Sequence, residues 1–402
     1  MSLDLGETVT QLDQLATQIG NVRTDRTGRL EAFLAAASQI DAPTAREKTG
    51  FEPGRPFLAA QVVDALTGSY SPTAPPPDWC VASVDGSHID VDRHLPVSCY
   101  LVNLGGCRLT YGSQPDAQFF SSPHLATDPG DMYLTNPANP SQEEAVTGPL
   151  LGLVRTIREL ERLVQMVEEC PPDLPVLALI DGSLVLWGLS GQGYRPFVRD
   201  AIIGQGLLAA LDRLRELSQR RLVTLAAYVS LPRSTEVVNA ARSCFCTQDP
   251  LLCRESCSNR RSVHAPCNMA NDILDRDMFQ ALLSPGFRSP LYLTNSSVSR
   301  ESYGEHQVYF YYIHGETEIG RVEVPKWVAE DENLLALNHS LILDQCRRGQ
   351  GYPVAISEAH EQAVVRTGDR QIFKEMVSQA LEQQGLPAYT SEKERSKRTP
   401  WV

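Results

Sequence analysis

The sequence contains no apolar stretch approaching the roughly 18 residues that cross a bilayer. Its opening, Met1 to Gln11, is acidic and polar rather than basic and then apolar. Neither a membrane span nor a secretory leader is expected, and a cytoplasmic protein with no membrane partner is. No GxxxxGK[ST] loop or glycine-rich cradle is present, which argues against an ATP-dependent phosphotransferase. There is no internal repeat. Basic residues are in deficit: 36 Lys and Arg against 49 Asp and Glu leave a net charge of -13. The chain therefore does not attract nucleic acid by its overall charge, and any phosphate-binding face must be local. Arg213, Arg215, Arg220 and Arg221 form one basic cluster, and Arg254, Arg260 and Arg261 a second. A solvated helix face explains the first equally well. The 10 cysteines, without a leader, argue against a disulfide framework and for reduced thiols or metal ligands.

What is present is enough for a large core. The chain has 402 residues, 42% of them hydrophobic. Helical spacing of Val9, Leu12, Leu15, Ile19, Leu30, Phe33 and Leu34 predicts one or two helices over 5–40, in an N-terminal helical extension (1–70). Pro72, Pro75, Pro76 and Pro77 then exclude regular structure and mark entry to a main domain over 78–385, followed by a charged tail (386–402). A three-strand antiparallel meander is expected over Cys80–Asp85, Val97–Leu104 and Cys107–Tyr111, with Gly105-Gly106 as a tight turn. Residues 119–140 read as a polar surface loop and 141–170 as a long helix. Val176 to Ile180 is uniformly apolar, as in a strand buried on both faces. Further helices are expected over 197–220, 333–347 and 357–383, a strand over 223–231, and a hairpin over 308–324. The pattern is that of an α/β protein, a mixed sheet flanked by helices.

Two segments match in their apolar lead-in and their ending: Val81 to Ser87 and Leu177 to Ser183 both finish in Asp-Gly-Ser. Either alone is an ordinary strand-ending turn. Together they suggest one site, because carboxylates at the ends of buried strands are costly without a cation or hydrogen bonds. A two-metal phosphodiesterase needs at least three converging carboxylates. On the helix before Asp181, the stripe Leu150, Val154, Ile157, Leu160, Val164 and Val167 includes Glu161 in its arc and leaves Glu159 on the opposite side. That facing selects Glu161, with snorkelling at the stripe edge as the alternative; Glu168 shares its face two turns on. Near the C-terminus, Tyr352 could orient a water or phosphate oxygen. His360, early in a helix after a Pro-containing turn, could bind metal or phosphate or be structural.

These segments, in this order, resemble the NurA family of DNA-end-processing nucleases. The likeness runs from about Trp79 to Gln383 and is carried by VASVDGSHI (81–89), LALIDGSLVLW (177–187), RVEVPKWV (321–328) and GYPVAISEAHEQAV (351–364). It implies an RNase H-like fold, Mn²⁺- or Mg²⁺-dependent cleavage of DNA with 5′-to-3′ exonuclease and single-strand endonuclease activity, a homodimer, and partnership with a HerA-type hexameric ATPase. Residue by residue, Asp85 and Asp181 match the strand aspartates, each in its DGS context. Glu161 is the helix glutamate by placement, and Tyr352 and His360 match the C-terminal pair. Asp85, Glu161, Asp181 and His360 would be the metal ligands, with Tyr352 completing the catalytic set. A DNA-end adaptor that has lost catalysis is the other reading.

The chain departs from archaeal members in a Cys-rich insertion (244–267) holding Cys244, Cys246, Cys253, Cys257, His264 and Cys267. The spacing fits no standard zinc finger. A structural zinc or iron-sulfur cluster would draw on Cys253, Cys257 and Cys267, with Cys244 or Cys246 as fourth ligand; plain reduced thiols are the alternative.

Overall fold

The structure, a computed structural model, describes residues 4–52, 55–91, 97–191, 193–246 and 266–386. They form two compact units. The first draws on Met1–Pro72, Val229–Arg300 and Gln307–Glu323, the second on Thr73–Tyr228, Glu301–His306 and Val324–Val402. No helix among the described residues is long and apolar enough to cross a membrane.

In the first unit a single helix, α1 (Leu5–Ala37), starts at Asp4, whose side chain accepts from the Glu7 N–H. Helix α2 (Ala42–Thr49) is capped in the same way by Asp41. Strands β1 (Gln61–Val62), β9 (Tyr292–Leu293), β10 (Val308–His314) and β11 (Ile319–Pro325, in this unit through Glu323) lie in that order. Their core gathers Phe33, Phe279, Tyr292, Phe310 and Tyr312. Phe279 stacks on Tyr312 with ring centroids 4.6 Å apart. Charges buried in this core are paired within it. Arg321 pairs with Glu236 at 2.7 Å and with Glu323 at 2.9 Å. Asp275, the first residue of α6 (Asp275–Leu282), accepts from the Val237 and Val238 N–H groups at the start of α5 (Glu236–Phe245). These carboxylates hold structure.

The second unit is built on a mixed sheet, in the order β8 (Val223–Val229), β7 (Val176–Asp181), β2 (Trp79–Ile89), β3 (Tyr100–Tyr111) and β4 (Asp116–Ala126). The first three strands run parallel, and β3 and β4 continue antiparallel. Helix α3 (Pro149–Glu169) and helix α8 (Val354–Ala363) both pack on β2, which explains why β2 and β7 are apolar without alternation. Burying Ile157, Leu160, Leu163 and Val167 of α3 contributes about 1.5–3 kcal/mol each. Helix α7 (Glu332–Arg348) leads through a tight turn into α8, and α9 (Thr367–Gln383) follows.

The structure corrects several expectations. Gly105 and Gly106 do not turn the chain: they lie inside a continuous 12-residue β3, where their missing side chains admit neighbours. Residues 119–140 are not a loop, because β4 and a hairpin of β5 (Tyr133–Asn136) and β6 (Asn139–Ala145) run through them. Most of β4 faces solvent, so its polar sequence carries no buried-face alternation to betray a strand. Helix α3 begins at Pro149 rather than 141, behind Gly148 at φ +55°, a conformation glycine adopts without strain. The expected helix over 357–383 breaks between Ala363 and Thr367. Of the basic cluster, Arg213 on α4 (Ala209–Ser218) pairs with Glu168 and Glu216, and Arg221 donates to the carbonyls of Val167 and Cys170 at the end of α3. Arg254, Arg260 and Arg261 lie outside the described residues.

Candidate functional site

Parallel pairing sets Cys80 beside Val176 and continues to Val84 beside Ile180. The next residues on each strand are Asp85 and Asp181. Asp181 ends β7 as its sequence context suggests, but β2 does not end at Asp85: it stays paired with β3 through Ile89, so the two carboxylates sit at adjacent positions of neighbouring strands, one at a strand end and one within a strand. Gly182, at φ +90°, turns the chain away behind Asp181, and its N–H donates to Tyr228 O at 2.9 Å.

Each aspartate has a distant partner. The Tyr352 hydroxyl donates to Asp181 Oδ1 at 3.1 Å, and its ring meets that of Tyr228 edge-on at 5.7 Å. His360 Nδ1 lies 2.8 Å from Asp85 Oδ2 while 57% of the imidazole side chain remains exposed. Because a carboxylate only accepts, Nδ1 carries a proton in this contact, and Nε2 is the ring nitrogen not engaged by Asp85. Tyr352 sits on the turn between α7 and α8, where Gln350 and Gly351 take φ +56° and +117°.

Two glycines bring the helices this close. A Cβ on Gly105 would stand 2.2 Å from Ala363 N, so only glycine lets the end of α8 rest on β3. There Ala363 O accepts from Ser87 Oγ at 2.6 Å and Asn103 Nδ2 at 2.9 Å, satisfying a helix-end carbonyl and fixing the helix that carries His360. On the other face of β2, a Cβ on Gly86 would stand 2.5 Å from Glu159 Oε1. The Glu159 carboxylate therefore lies against the backbone immediately after Asp85.

Glu159 is the buried glutamate of α3 and Glu161 is exposed, which reverses the facing read from the sequence. The stripe that selected Glu161 left out Leu151, Leu163 and Met166, all buried. Including them rotates the buried arc toward Glu159. Burial pushes the Glu159 carboxyl up to about 8; the Arg155 guanidinium opposes the shift, and the charges of Asp85 and Asp181 add to it. Arg155 Nε is 3.0 Å from Glu159 Oε1 as an ion pair. Its N–H is not aligned on that oxygen, which has no hydrogen-bond donor among the described residues. Burial also pushes the Asp181 carboxyl up, against the hydrogen bond from Tyr352.

The donor chemistry suits a hard divalent cation: three carboxylates on adjoining elements, one of them buried with an unsatisfied oxygen. As arranged, no group of three or more His, Cys, Asp or Glu side chains among the described residues could hold a metal ion. The aspartates are instead bonded to His360 and Tyr352. In the Cys-rich insertion, Cys244 is buried and Cys246 and Cys267 are half-buried, while Cys253, Cys257 and His264 lie outside the described residues.

The model of the NurA domain matches residues 81–365, most of the chain, and takes in Asp85, Glu159, Asp181, Tyr352 and His360. The chain belongs to the NurA family. It is thus a member of a nuclease family, and the second unit contains most of its NurA domain. The NurA nuclease from Sulfolobus solfataricus is a structural neighbour at 11% identity and TM-score 0.48, covering 93% of this chain and 98% of that one. A structure of NurA with manganese aligns at 10% identity and TM-score 0.32, over 75% of this chain and 89% of that one. No curated protein matches this NurA chain.

Proposed function

We propose that this NurA protein is a divalent-metal-dependent deoxyribonuclease that processes DNA ends. The observation that supports it most is the pairing of β2 with β7, which sets Asp85 beside Asp181 with Glu159 buried against Gly86. In this reading Asp85, Glu159 and Asp181 hold one or two Mn²⁺ or Mg²⁺ ions. When bound, the ions supply activation of a water and stabilisation of the departing 3′-oxygen. Tyr352 holds the Asp181 carboxylate in place. His360, fixed through Nδ1 by Asp85, presents Nε2 to the phosphate and carries a proton there.

The RNase H-like topology, the 5′-to-3′ exonuclease and single-strand endonuclease activities, the homodimer and the HerA-type ATPase partner belong to the same proposal and rest on family membership. So does action on broken DNA in the cytoplasm.

The test is cleavage of end-labelled single- and double-stranded DNA by purified protein with Mn²⁺, Mg²⁺ or EDTA, beside Asp85→Asn. Metal-dependent cleavage that the variant loses is expected. If folded protein leaves DNA intact with every metal, with and without the ATPase partner, the nuclease reading falls and a DNA-end adaptor takes its place.

A further inference from the structure

We infer that Cys80 and Cys170 form a redox modification site, a dithiol that a peroxide closes into a disulfide joining the start of β2 to the end of α3. The two sulfurs are 3.4 Å apart although the residues are separated by 90 positions of sequence. Both residues are buried, and both lie in the second unit. Neither belongs to the carboxylate group, so the inference stands whether or not the protein cleaves DNA. A disulfide spans about 2.05 Å, so closing it brings the sulfurs together by about 1.4 Å, within the sweep of a side-chain rotation.

The surroundings favour a thiolate. The Thr110 hydroxyl donates to Cys80 Sγ at 3.7 Å, and the Cys170 thiol, which also reaches Met166 O at 3.3 Å, can donate to the same sulfur. The bond from Cys170 holds the Cys80 thiol below the ordinary thiol value against burial, and the Thr110 bond and the Arg108 and Arg221 guanidiniums add to the effect. Both guanidiniums are tied to backbone at the end of α3: Arg108 donates to Glu169 O at 2.6 Å and Arg221 to Cys170 O at 3.0 Å. Glu168 and Glu169, the carboxylates next to Cys170 in sequence, pair instead with Arg213 and Arg162. Cys107 on the neighbouring strand is the inert counterpart. Its thiol donates to Ala355 O at 3.3 Å, and burial pushes it up to about 12.

A small oxidant has a way in. A cavity of about 520 Å³ opens against the pair, and Cys170, Pro172, Leu217 and Arg221 are among the residues that line it. Hydrogen peroxide, little larger than the water that fills about 30 Å³ of liquid, enters such a space. One sulfur of the pair, as thiolate, attacks a peroxide oxygen; the S–O bond forms, the O–O bond breaks, and the hydroxide that leaves is protonated to water. The second sulfur then attacks the resulting sulfenic acid, forming S–S and breaking S–O, and its proton leaves with the departing hydroxide as a second water. Two thiols lose two electrons and one peroxide gains them. The bridge closes a loop of the unfolded chain some 90 residues long, which makes the oxidised protein harder to unfold. A dithiol reductant reverses it by exchange.

The test treats folded, reduced wild-type protein with hydrogen peroxide at neutral pH, removes the peroxide, alkylates the remaining thiols in denaturant, and maps the peptides by mass spectrometry without reduction. The peptides holding Cys80 and Cys170 should appear joined, and Cys107 should appear alkylated. The melting temperature of the oxidised protein should rise by about 5 °C or more and return to its starting value with dithiothreitol. Cys80→Ala and Cys170→Ala should each show no peroxide-induced rise. The peptide map of the wild type decides the matter even if neither variant folds. Cys80 and Cys170 both alkylated after peroxide treatment would overturn the inference, as would a link between them that forms only when denaturant is added before the peroxide. A linked protein that melts where the reduced protein does would overturn the bridge as a stabilising device.

Discussion

His360 Nδ1 and Asp85 Oδ2 are 2.8 Å apart across 275 positions of sequence. The contact exists because Gly105 has no side chain: the end of α8 lies on β3 where a Cβ would stand 2.2 Å from Ala363 N. A residue that takes no part in chemistry thus fixes where the imidazole sits.

Gly105→Ala should therefore resemble His360→Ala in cleavage while also lowering stability, because α8 must move off the sheet. Overpacking of this kind costs about 1–3 kcal/mol. Melting temperature and rate measured together check it: a variant melting like wild type would show that the helix yields without cost.

Asp181→Asn should reduce metal-dependent cleavage by well over tenfold while the protein stays folded. The amide retains the size of the carboxyl and can still accept from Tyr352, but it brings no charge to a cation. Retention of more than about a tenth of the wild-type rate would exclude Asp181 from the metal site, given the several kcal/mol a metal ion supplies.

Of the two α3 glutamates, Glu159→Gln should abolish cleavage and Glu161→Gln should leave it near wild type, since Glu161 faces solvent. Side-by-side rates decide, and the opposite ranking would return the third carboxylate to Glu161.

Stability of the metal-free protein should depend on pH through Glu159. Its folded pKa, about 8, lies above the ordinary 4.5. Between those values the folded state holds a proton that the unfolded state has released, so stability falls as pH rises from about 4.5 to 8. The loss is on the order of a few kcal/mol. Melting in EDTA across that window should show a steeper decline for wild type than for Glu159→Gln. Adding Mn²⁺ should flatten the wild-type curve. Parallel curves for the two proteins would remove the buried charge as the cause.

The strand aspartates were legible in the sequence because a buried parallel strand writes itself as an unbroken apolar run, and Asp-Gly marks where each run stops. The strand β4 was not. With most of its side chains in solvent, its only structural signature is hydrogen bonding to β3, which leaves no trace in residue type. Gly105 and Gly106 read as a turn for a related reason, since glycine is permitted in turns and demanded by close approach, and one sequence does not separate the two.

The sequence by itself determined the α/β character, the two apolar runs that close on Asp-Gly-Ser and the NurA resemblance, since these depend on local periodicity and short motifs; that β2 runs on past its motif to Ile89 only the structure shows. The choice of Glu159 over Glu161 and the meeting of His360 with Asp85 and Tyr352 with Asp181 were decided by the tertiary structure. Which side of α3 is buried depends on every element packed around the helix, and which side chains meet depends on how near two backbones can come. Both are properties of packing between segments far apart in the chain, and neither is encoded in any one of them.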